Sequence, residues 1–340
     1  MNVDLLLLDK DIRAAGTSAA RAEALGHHAV WATEAGHDVF LQALTAVHAT
    51  DRIPVGTAIA VAFARTPMTV AHAAWDLAQA SDGRFVLGLG SQVRAHVERR
   101  FSMPWDKPLP QMRDFINATR AIWDAWRNDD ALRYEGTHYT HTLMSPFWAP
   151  AHHDHKIPIH LAAVGPRMIE LAGELCDGVV LHAFTNSAYL TEVVRPSLDA
   201  GRARSLRSDD IEVSLPVFMV MGDSDEQLAA RRTEATAQIA FYGSTPAYRP
   251  VLDAVGYGEL QPELAGLAKA GKWDLMSALV TDEVFDHFAL AGTPEEMPGK
   301  VAARFGSTVS RVSSYLGWPI EDPDRLQDIL AQFAHHSTDV

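Results

Sequence analysis

Three segments carry groups that could do chemistry, and each follows an apolar run. In the first, Glu34, His37 and Asp38 place an acid, an imidazole and a second acid within five residues. Such a cluster suits proton transfer, because histidine titrates near neutral pH and a nearby carboxylate can orient it. Asp38 has a second interpretation, because it stands just before Val39 and Phe40 and could instead cap a helix.

The second segment is Val164-Gly165-Pro166-Arg167, where an apolar run stops and a helical pattern begins at once. A strand that passes directly into a helix leaves free N–H groups, which together with the helix dipole favour an anion. Gly165 lets a ligand approach the backbone, Pro166 suits the first helical position, and Arg167 can form two hydrogen bonds with a phosphate. The segment indicates either a phosphate site or an ordinary turn.

The third segment ends an apolar run with Gly88-Leu89-Gly90-Ser91, which is nearly free of large side chains. Because Gly90 is followed by Ser91, Gln92 and Val93, the full Gly-x-Gly-x-x-Gly pattern of dinucleotide-binding folds is absent. The segment still indicates a second strand end at which a ligand can approach the backbone.

Eight apolar runs separated by helical patterns must position these segments. Strands are predicted at residues 3–8, 29–33, 54–62, 84–89, 157–163, 178–181, 212–221 and 309–315. Helices are predicted at 12–25, 40–49, 67–80, 166–175 and about 225–240, with a last one opening in a capping box at Thr293 to Glu296. Apolar strands between helices indicate a parallel sheet covered on both faces. Eight units favour an α/β fold of the closed (β/α)₈ TIM barrel type, and an open doubly wound sheet is the alternative.

Two long segments, at about 100–156 and 243–290, interrupt this pattern after the fourth and seventh strands. Insertions at the C-terminal face of a barrel usually cover a substrate or build an interface. The first contains a helical stretch with Trp123 and Trp126, which could form a dimer face, wall the pocket or simply pack. We therefore predict one barrel domain over residues 1–320 with two insertions, and a C-terminal tail or helix over 321–340.

Composition excludes several classes of protein. The chain has 340 residues, 47% of them hydrophobic, and a net charge of −14. This charge disfavours binding to nucleic acid or to an anionic membrane. The single cysteine, Cys176, allows no internal disulfide and is predicted to be a core thiol. No signal peptide is recognisable, so we expect a cytoplasmic protein. The histidine-rich run from His152 to His155 favours a solvated loop over a metal site.

Four segments together resemble one known family. They are WATEAGHDVF, VGTAIAVAFARTPM, SDGRFVLGLGS and LAAVGPRMIELAGELCDGV. The chain resembles the luciferase-like monooxygenase superfamily over nearly its whole length. It is most similar to the actinobacterial branch that uses the deazaflavin coenzyme F420.

The resemblance implies a (β/α)₈ barrel with a flavin-like ring at its C-terminal mouth. Family members commonly back the ring with a bulge in strand three that contains a non-prolyl cis peptide, which matches Ala58 and Ile59. The end of strand four is expected beside the ring, and the turn after strand five is expected to hold the cofactor phosphate. The matching positions are Gly90, Ser91 and Gln92 in strand four, and Ala163, Val164, Gly165, Pro166 and Arg167 in the turn.

The resemblance also implies that His37 and Glu34 face the reactive edge of the ring as catalytic residues. His182, at the end of strand six, and Trp31 are candidate substrate contacts. One position departs from the pattern, because some deazaflavin dehydrogenases carry a proton-donating glutamate where this chain has Val93. The identity of the acid or base therefore stays open.

From these observations we expect an F420-dependent oxidoreductase. It would transfer a hydride between the deazaflavin and an alcohol, a carbonyl or an activated C=C or C=N bond of a small molecule. An FMN-dependent luciferase-like monooxygenase is the first alternative, and a non-catalytic flavin-binding relative is the second. The resemblance further implies a homodimer, and no metal is expected.

Overall fold

A closed barrel of eight parallel strands forms the centre of the computed structural model, which describes residues 1–205, 210–306 and 308–335. The strands are β1 Asn2–Leu7, β2 Ala29–Ala32, β3 Val55–Thr57, β4 Ala60–Val61, β5 Phe85–Gly90, β6 Tyr134–Glu135, β7 Thr140–His141, β8 Ile159–Ala162, β9 Gly178–Val180, β10 Glu212–Met221, β11 Ala289–Gly292 and β12 Arg311–Ser314.

The barrel closes because β1 pairs with β12 and β9 pairs with β10, which excludes the open sheet. Its order is β1, β2, β3, β5, β8, β9, β10 and β12, and β4 continues β3 after a short interruption. Outward-facing side chains such as Leu87 and Val179 are fully buried, because helices cover the outside of the sheet. The predicted (β/α)₈ TIM barrel is confirmed.

Helices surround the barrel, and local capping explains where several of them begin. They are α1 Ile12–Leu25, α2 Val39–Ala49, α3 Pro67–Ala80, α4 Arg94–Arg99, α5 Pro108–Asn128, α6 Pro166–Leu175, α7 Ser187–Tyr189, α8 Arg195–Arg202, α9 Asp225–Gly243, α10 Arg249–Asp253, α11 Leu260–Lys269, α12 Trp273–Ala278, α13 Asp282–Phe288, α14 Met297–Phe305 and α15 Pro323–His335. The Asp38 carboxylate accepts the N–H groups of Phe40 and Leu41, so its interpretation as a helix cap is confirmed. The capping box between Thr293 and Glu296 is also present.

The first long segment is only partly an insertion. Its tryptophan-rich helix, α5, packs against α3 and α6 in the outer ring and is therefore the barrel helix that follows strand four. The hairpin of β6 and β7 then lies along α5, held by the Asp114 carboxylate, which accepts the N–H of Tyr139 at 3.1 Å. None of the described residues 109–156 lines the large cavity of the barrel, although Leu109 and Pro110 line a second cavity at the start of α6.

Packing accounts for several residues that the sequence left ambiguous. The Trp123 indole donates to the Ala71 carbonyl at 3.1 Å, and Trp126 packs edge-on against Trp75, so both tryptophans pack inside the chain. His153 is buried and stacks on Trp75 with ring centroids 3.9 Å apart, so the run around it is not simply a solvated loop. Cys176 is a buried thiol, as predicted.

Several elements were not predicted, among them the hairpin of β6 and β7, the helices α10 to α13, and two elements outside the insertions' helices. A helical stretch follows the sixth strand, where α7 passes through a π-helical turn, Leu190–Val194, into α8. The four-residue strand β11 pairs in parallel with the end of β10, beyond the part of β10 that belongs to the barrel.

Within the described ranges, no helix is long and apolar enough to cross a membrane.

A buried ion pair joins the first and last strands inside the barrel. The Arg311 guanidinium binds the Asp4 carboxylate through two hydrogen bonds of 2.8 Å, and the Trp31 indole donates to the same carboxylate at 2.8 Å. The side chains of Arg311 and Asp4 are 8% and 1% exposed. Burial raises the pKa of Asp4, and the paired guanidinium opposes that shift. Glu212 approaches Arg311 at 3.5 Å and extends the network.

We predict that Asp4→Asn lowers the free energy of unfolding by about 3–5 kcal/mol, because the substitution leaves the Arg311 charge buried without its main partner. Urea unfolding followed by circular dichroism measures the effect. The double variant Asp4→Asn/Arg311→Met should lose less stability than the sum of the two single variants, because it removes both charges.

Glu259→Gln is the control for this prediction, because it removes an ion pair with Arg249 in which Glu259 is 90% exposed. Its urea midpoint should equal that of the parent protein. If Asp4→Asn also unfolds at the parent midpoint, the pair does not stabilise the barrel.

Candidate functional site

A cavity of about 730 Å³ opens at the C-terminal ends of the barrel strands. A volume of this size is typical of small-molecule and cofactor sites. Its floor includes Asp4 and Trp31, which the ion-pair network holds in place. The strand ends and the loops that follow them contribute Leu8, Thr33, Ala58, Ile59, Gly90, Ser91, Gln92, Ala163, Val164, Gly165, His182, Pro216 and Tyr315.

The third strand reaches this cavity through a bulge between β3 and β4. The peptide bond between Ala58 and Ile59 is cis, at the position that the family resemblance implied. The Thr57 side chain supplies two hydrogen bonds to β5 where the backbone pairing is interrupted. Its hydroxyl accepts the N–H of Gly88 at 2.9 Å and donates to the carbonyl of Gly88 at 2.7 Å. A side chain at position 88 would overlap the Thr57 carbonyl, so the bulge requires glycine there.

Arg65 connects the bulge to the loop that carries the predicted catalytic residues. Its guanidinium donates to the Glu34 carboxylate at 2.5 and 2.8 Å, and to the Asp38 carboxylate at 2.7 Å. Glu34 also accepts the N–H of Val61, directly after the bulge, at 2.6 Å. Both ends of the segment from Glu34 to Asp38 therefore bind the Arg65 guanidinium. The Glu34 carboxylate in addition binds the backbone of Val61.

His37 lies between these two anchored carboxylates. It is half-buried, and its Nε2 atom is buried without a hydrogen-bond partner in the described part of the chain. Arg100 donates to the Ala35 carbonyl at 2.7 Å and fixes the same loop from the side of α4. Neither His37 nor Glu34 is among the described residues that line the cavity.

The end of β5, which is the fourth strand of the barrel, forms the wall next to the bulge. A β-carbon at Gly90 would lie 2.8 Å from Ile59 Cδ1 and 3.3 Å from Ala162 Cβ, so the three strand ends meet closely here. Gln92 adopts a left-handed backbone conformation, with φ of 59°, and turns the chain into α4. His96 and Glu98 lie on this helix, where Glu98 pairs with Arg94 at 2.9 Å.

The predicted phosphate segment opens helix α6 as the sequence indicated. Pro166 occupies the start of the helix and has no N–H, and the Met168 N–H donates to the Gly165 carbonyl at 3.1 Å, so the N–H groups of Gly165 and Arg167 are the ones available to a ligand here. A β-carbon at Gly165 would meet no protein atom within 4 Å. A second cavity of about 650 Å³ adjoins the first here and is lined by both residues together with Arg167 and Lys107.

All ten predicted cofactor-binding residues therefore line one or the other of two adjoining cavities. Ala58, Ile59, Gly90, Ser91, Gln92, Ala163, Val164 and Gly165 line the larger one, and Pro166 and Arg167 line the smaller. Both candidate substrate contacts, Trp31 and His182, line the larger cavity. Within the described residues, no group of three or more His, Cys, Asp or Glu is placed to hold a metal ion.

An aromatic cluster surrounds His182 on the side of β9, β10 and β12. The His182 Nδ1 atom accepts the N–H of Phe184 at 3.0 Å. The ring of Tyr242 packs edge-on against His182 with centroids 4.3 Å apart, and that of Tyr248 lies 4.8 Å away. The hydroxyl groups of Tyr242 and Tyr315 share a short hydrogen bond. Burial lowers the pKa of His182 to about 4, so the imidazole is neutral.

Sequence reasoning missed Arg65, Tyr248 and Tyr315. Tyr315 had a detectable signal, because it alternates with Ser313 along the predicted last strand and so faces the interior. Arg65 had none, since its partners Glu34 and Asp38 lie about thirty residues earlier in the chain. Tyr248 stands in the second insertion, whose path over the cavity no local pattern reveals.

Comparison with known proteins identifies relatives along almost the whole chain. An uncharacterized protein of Mycobacterium tuberculosis is 46% identical over 300 residues, which cover 88% of each chain. The 5,10-methylenetetrahydromethanopterin reductase of Archaeoglobus fulgidus is 27% identical, over 91% of this chain and 90% of the relative.

A solved structure has the same fold. The coenzyme F420-dependent tetrahydromethanopterin reductase of Methanopyrus kandleri superposes with a TM-score of 0.78 and 21% identity, over 98% of this chain and 97% of that one. The family model described as luciferase-like monooxygenase matches residues 4–311. The chain therefore belongs to the luciferase-like monooxygenase family.

Proposed function

We propose that the protein is a coenzyme F420-dependent oxidoreductase that transfers a hydride between the deazaflavin and a small organic substrate. The observation that carries this proposal is the pair of adjoining cavities, one at the barrel mouth and one at the open start of α6. Two relatives support it, because the Archaeoglobus enzyme is named as a reductase and the Methanopyrus structure as F420-dependent.

The residues present suit a flat ring joined to an anionic group. Ala58, Ile59 and Gly90 form a wall of small or aliphatic groups, against which an aromatic ring can lie. The open space over Gly165 lets an anion approach the first N–H groups of α6. Arg167 is exposed beside this point and has no ion pair with any described residue, so its charge is available to a phosphate.

Bound deazaflavin would supply a carbon centre that donates or accepts a hydride. The contribution of this chain is alignment, because donor and acceptor must be held close together for the transfer. Strand ends and the hydrogen-bonded bulge of Thr57 provide such a rigid wall. Gly165 and Arg167 would anchor the cofactor at a distance from the reacting atoms.

We assign the proton transfer to His37 and a positioning role to Glu34. The Nε2 atom of His37 is buried without a described partner, which is rare for a polar atom, and because His37 does not line the cavity this role requires its loop to turn toward the bound ring. Glu34 holds Arg65 and the Val61 N–H, so it fixes the loop of His37 relative to the bulge. With Val93 in place of a glutamate, strand four supplies no acid of its own at that position.

The test is a titration of the purified protein with oxidised deazaflavin and with FMN, followed by ligand fluorescence. We expect the deazaflavin to bind at least ~10-fold more tightly than FMN, which corresponds to about 1.4 kcal/mol. Preference for FMN would contradict the proposal and indicate an oxygen-consuming monooxygenase. Binding of neither ligand would indicate a non-catalytic relative.

We predict that Gly165→Ala weakens deazaflavin binding about 10-fold without lowering stability, because the added methyl meets only the space through which the anion approaches. Fluorescence titration and thermal unfolding measure the two effects. Gly90→Ala is the matched comparison, because its methyl would press on Ile59 and should lower stability as well. Unchanged deazaflavin affinity in Gly165→Ala would contradict the anion site.

We predict that His37→Gln slows hydride transfer about 100-fold or more while the dissociation constant of the deazaflavin stays the same. Stopped-flow absorbance of the deazaflavin, with the most active member of a panel of alcohols, aldehydes and enones, measures the rate. His48→Gln, at an exposed position on α2, is the control. Equal losses of rate and of binding in His37→Gln would rule out the role in proton transfer.

A further inference from the structure

The cavity wall around His182 carries hydrogen-bond donors but no charge. From it we infer that the substrate is an uncharged, largely apolar molecule whose carbonyl or hydroxyl oxygen binds to His182 and the adjacent Tyr248. This inference rests on the proposed function, because it names the class of substrate for the same site. In the strand order of the barrel, β5 and β8 separate the bulge after β3 from β9, which carries His182 at its end. The wall at the bulge and the wall at His182 can therefore bind different ligands.

His182 is a fixed neutral donor. Since its Nδ1 atom accepts the N–H of Phe184, the proton of the neutral imidazole resides on Nε2. Burial lowers the pKa of His182 to about 4, so the ring carries no positive charge near neutral pH. The rings of Tyr242 and Tyr248 both pack against this imidazole and restrict its orientation.

The tyrosines beside His182 are neutral as well. Burial raises the pKa of Tyr248 and of Tyr315, so both keep their phenolic protons. The hydroxyl of Tyr315 is occupied by Tyr242, whereas Tyr248 lines the cavity with a hydroxyl that has no partner in the described part of the chain. A donor from His182 and a hydroxyl from Tyr248 match an oxygen that accepts hydrogen bonds.

Charge distribution excludes an anionic substrate from this part of the cavity. Among the described lining residues, the charged side chains are Asp4 and Arg94. Asp4 is neutralised by Arg311, and Arg94 is 69% exposed and paired with Glu98. A phosphate or carboxylate beside His182 would therefore lose its hydration without gaining a counter-charge. The cationic side chains of Arg167 and Lys107 border the other cavity.

Apart from the hydroxyl groups of Ser214, Thr245 and Ser313, most of the remaining lining on this side is apolar and favours an apolar body on the substrate. Val180, Leu181, Pro216 and Trp105 line the same cavity and offer only hydrocarbon or aromatic surface. A ligand that fills this space gains by removing apolar area from water, while one oxygen satisfies the donors. Aromatic or branched ketones and the corresponding secondary alcohols have this combination, and sugar phosphates do not.

The experiment compares acetophenone with benzoate, which has a similar shape but carries a negative charge. Isothermal titration calorimetry on the full chain, with and without saturating deazaflavin, gives both dissociation constants. We expect acetophenone to bind at least ~10-fold more tightly than benzoate. Benzoate binding as tightly as acetophenone, or no binding of acetophenone to either form, overturns the inference.

Variants test the role of His182 directly. His182→Phe should weaken acetophenone binding about 5- to 10-fold, the usual effect of one lost buried hydrogen bond. His182→Gln keeps an N–H donor and should restore most of the affinity. Tyr248→Phe keeps the ring, and its smaller loss should come from the hydroxyl alone. His152→Phe, at an exposed position outside the cavity, is the control.

Two further readouts separate this inference from the proposed function. Deazaflavin affinity should be the same in His182→Phe as in the parent protein, and thermal unfolding identifies a variant that fails to fold. If deazaflavin does not bind but acetophenone still binds through His182, only the proposed function fails. If deazaflavin binds and His182→Phe leaves acetophenone affinity unchanged, only the inference fails.

Discussion

Closure of the barrel between its first and last strands is the constraint on which the site depends. The cavity takes its walls from all eight strands, so it exists only when β1 pairs with β12. The buried pair of Asp4 and Arg311 lies at this seam, and Trp31 bonds to the same carboxylate. Glycine at position 56 makes room for the indole, because a β-carbon there would overlap the Trp31 ring. The charged network therefore links the first and last strands directly beneath the cavity.

Much of the fold could be predicted from the sequence, because in this architecture local pattern and tertiary environment agree. Most strands that are buried on both faces are rich in apolar residues, and side chains such as Asp38 and Thr293 mark helix starts by bonding to nearby backbone groups. The errors occur where that agreement is missing. Strand β11 has only four residues and depends on the distant end of β10 for its pairing. Helix α5 looked like part of an insertion because the segments flanking it are long and rich in proline, yet it packs as a regular member of the ring.

The site divides in the same way into what could and could not be predicted. Where the backbone forms the wall, glycine and proline mark the place in the sequence, as at Gly90, Gly165 and Pro166. Where side chains from distant segments meet, no spacing reveals them. Glu34 was expected to do chemistry because it is an acid near a histidine. The structure gives it a partner, Arg65, that no local sequence pattern identifies, and this partner supports the positioning role that we propose for Glu34.

The distribution of charge within the site shows how an acidic chain could hold the anionic cofactor that we propose. A net charge of −14 acts over the whole surface, where salt screens it beyond about 10 Å. At the start of α6, in contrast, the N–H groups of Gly165 and Arg167 and the side chains of Arg167 and Lys107 border the second cavity. Local groups at contact distance outweigh screened charges farther away, so an acidic protein can hold an anion there. The same reasoning makes the neutral wall at His182 selective, because nothing on that side compensates a second negative charge. The deazaflavin would thus be anchored through its negative charge, whereas the substrate would be selected because it carries no charge.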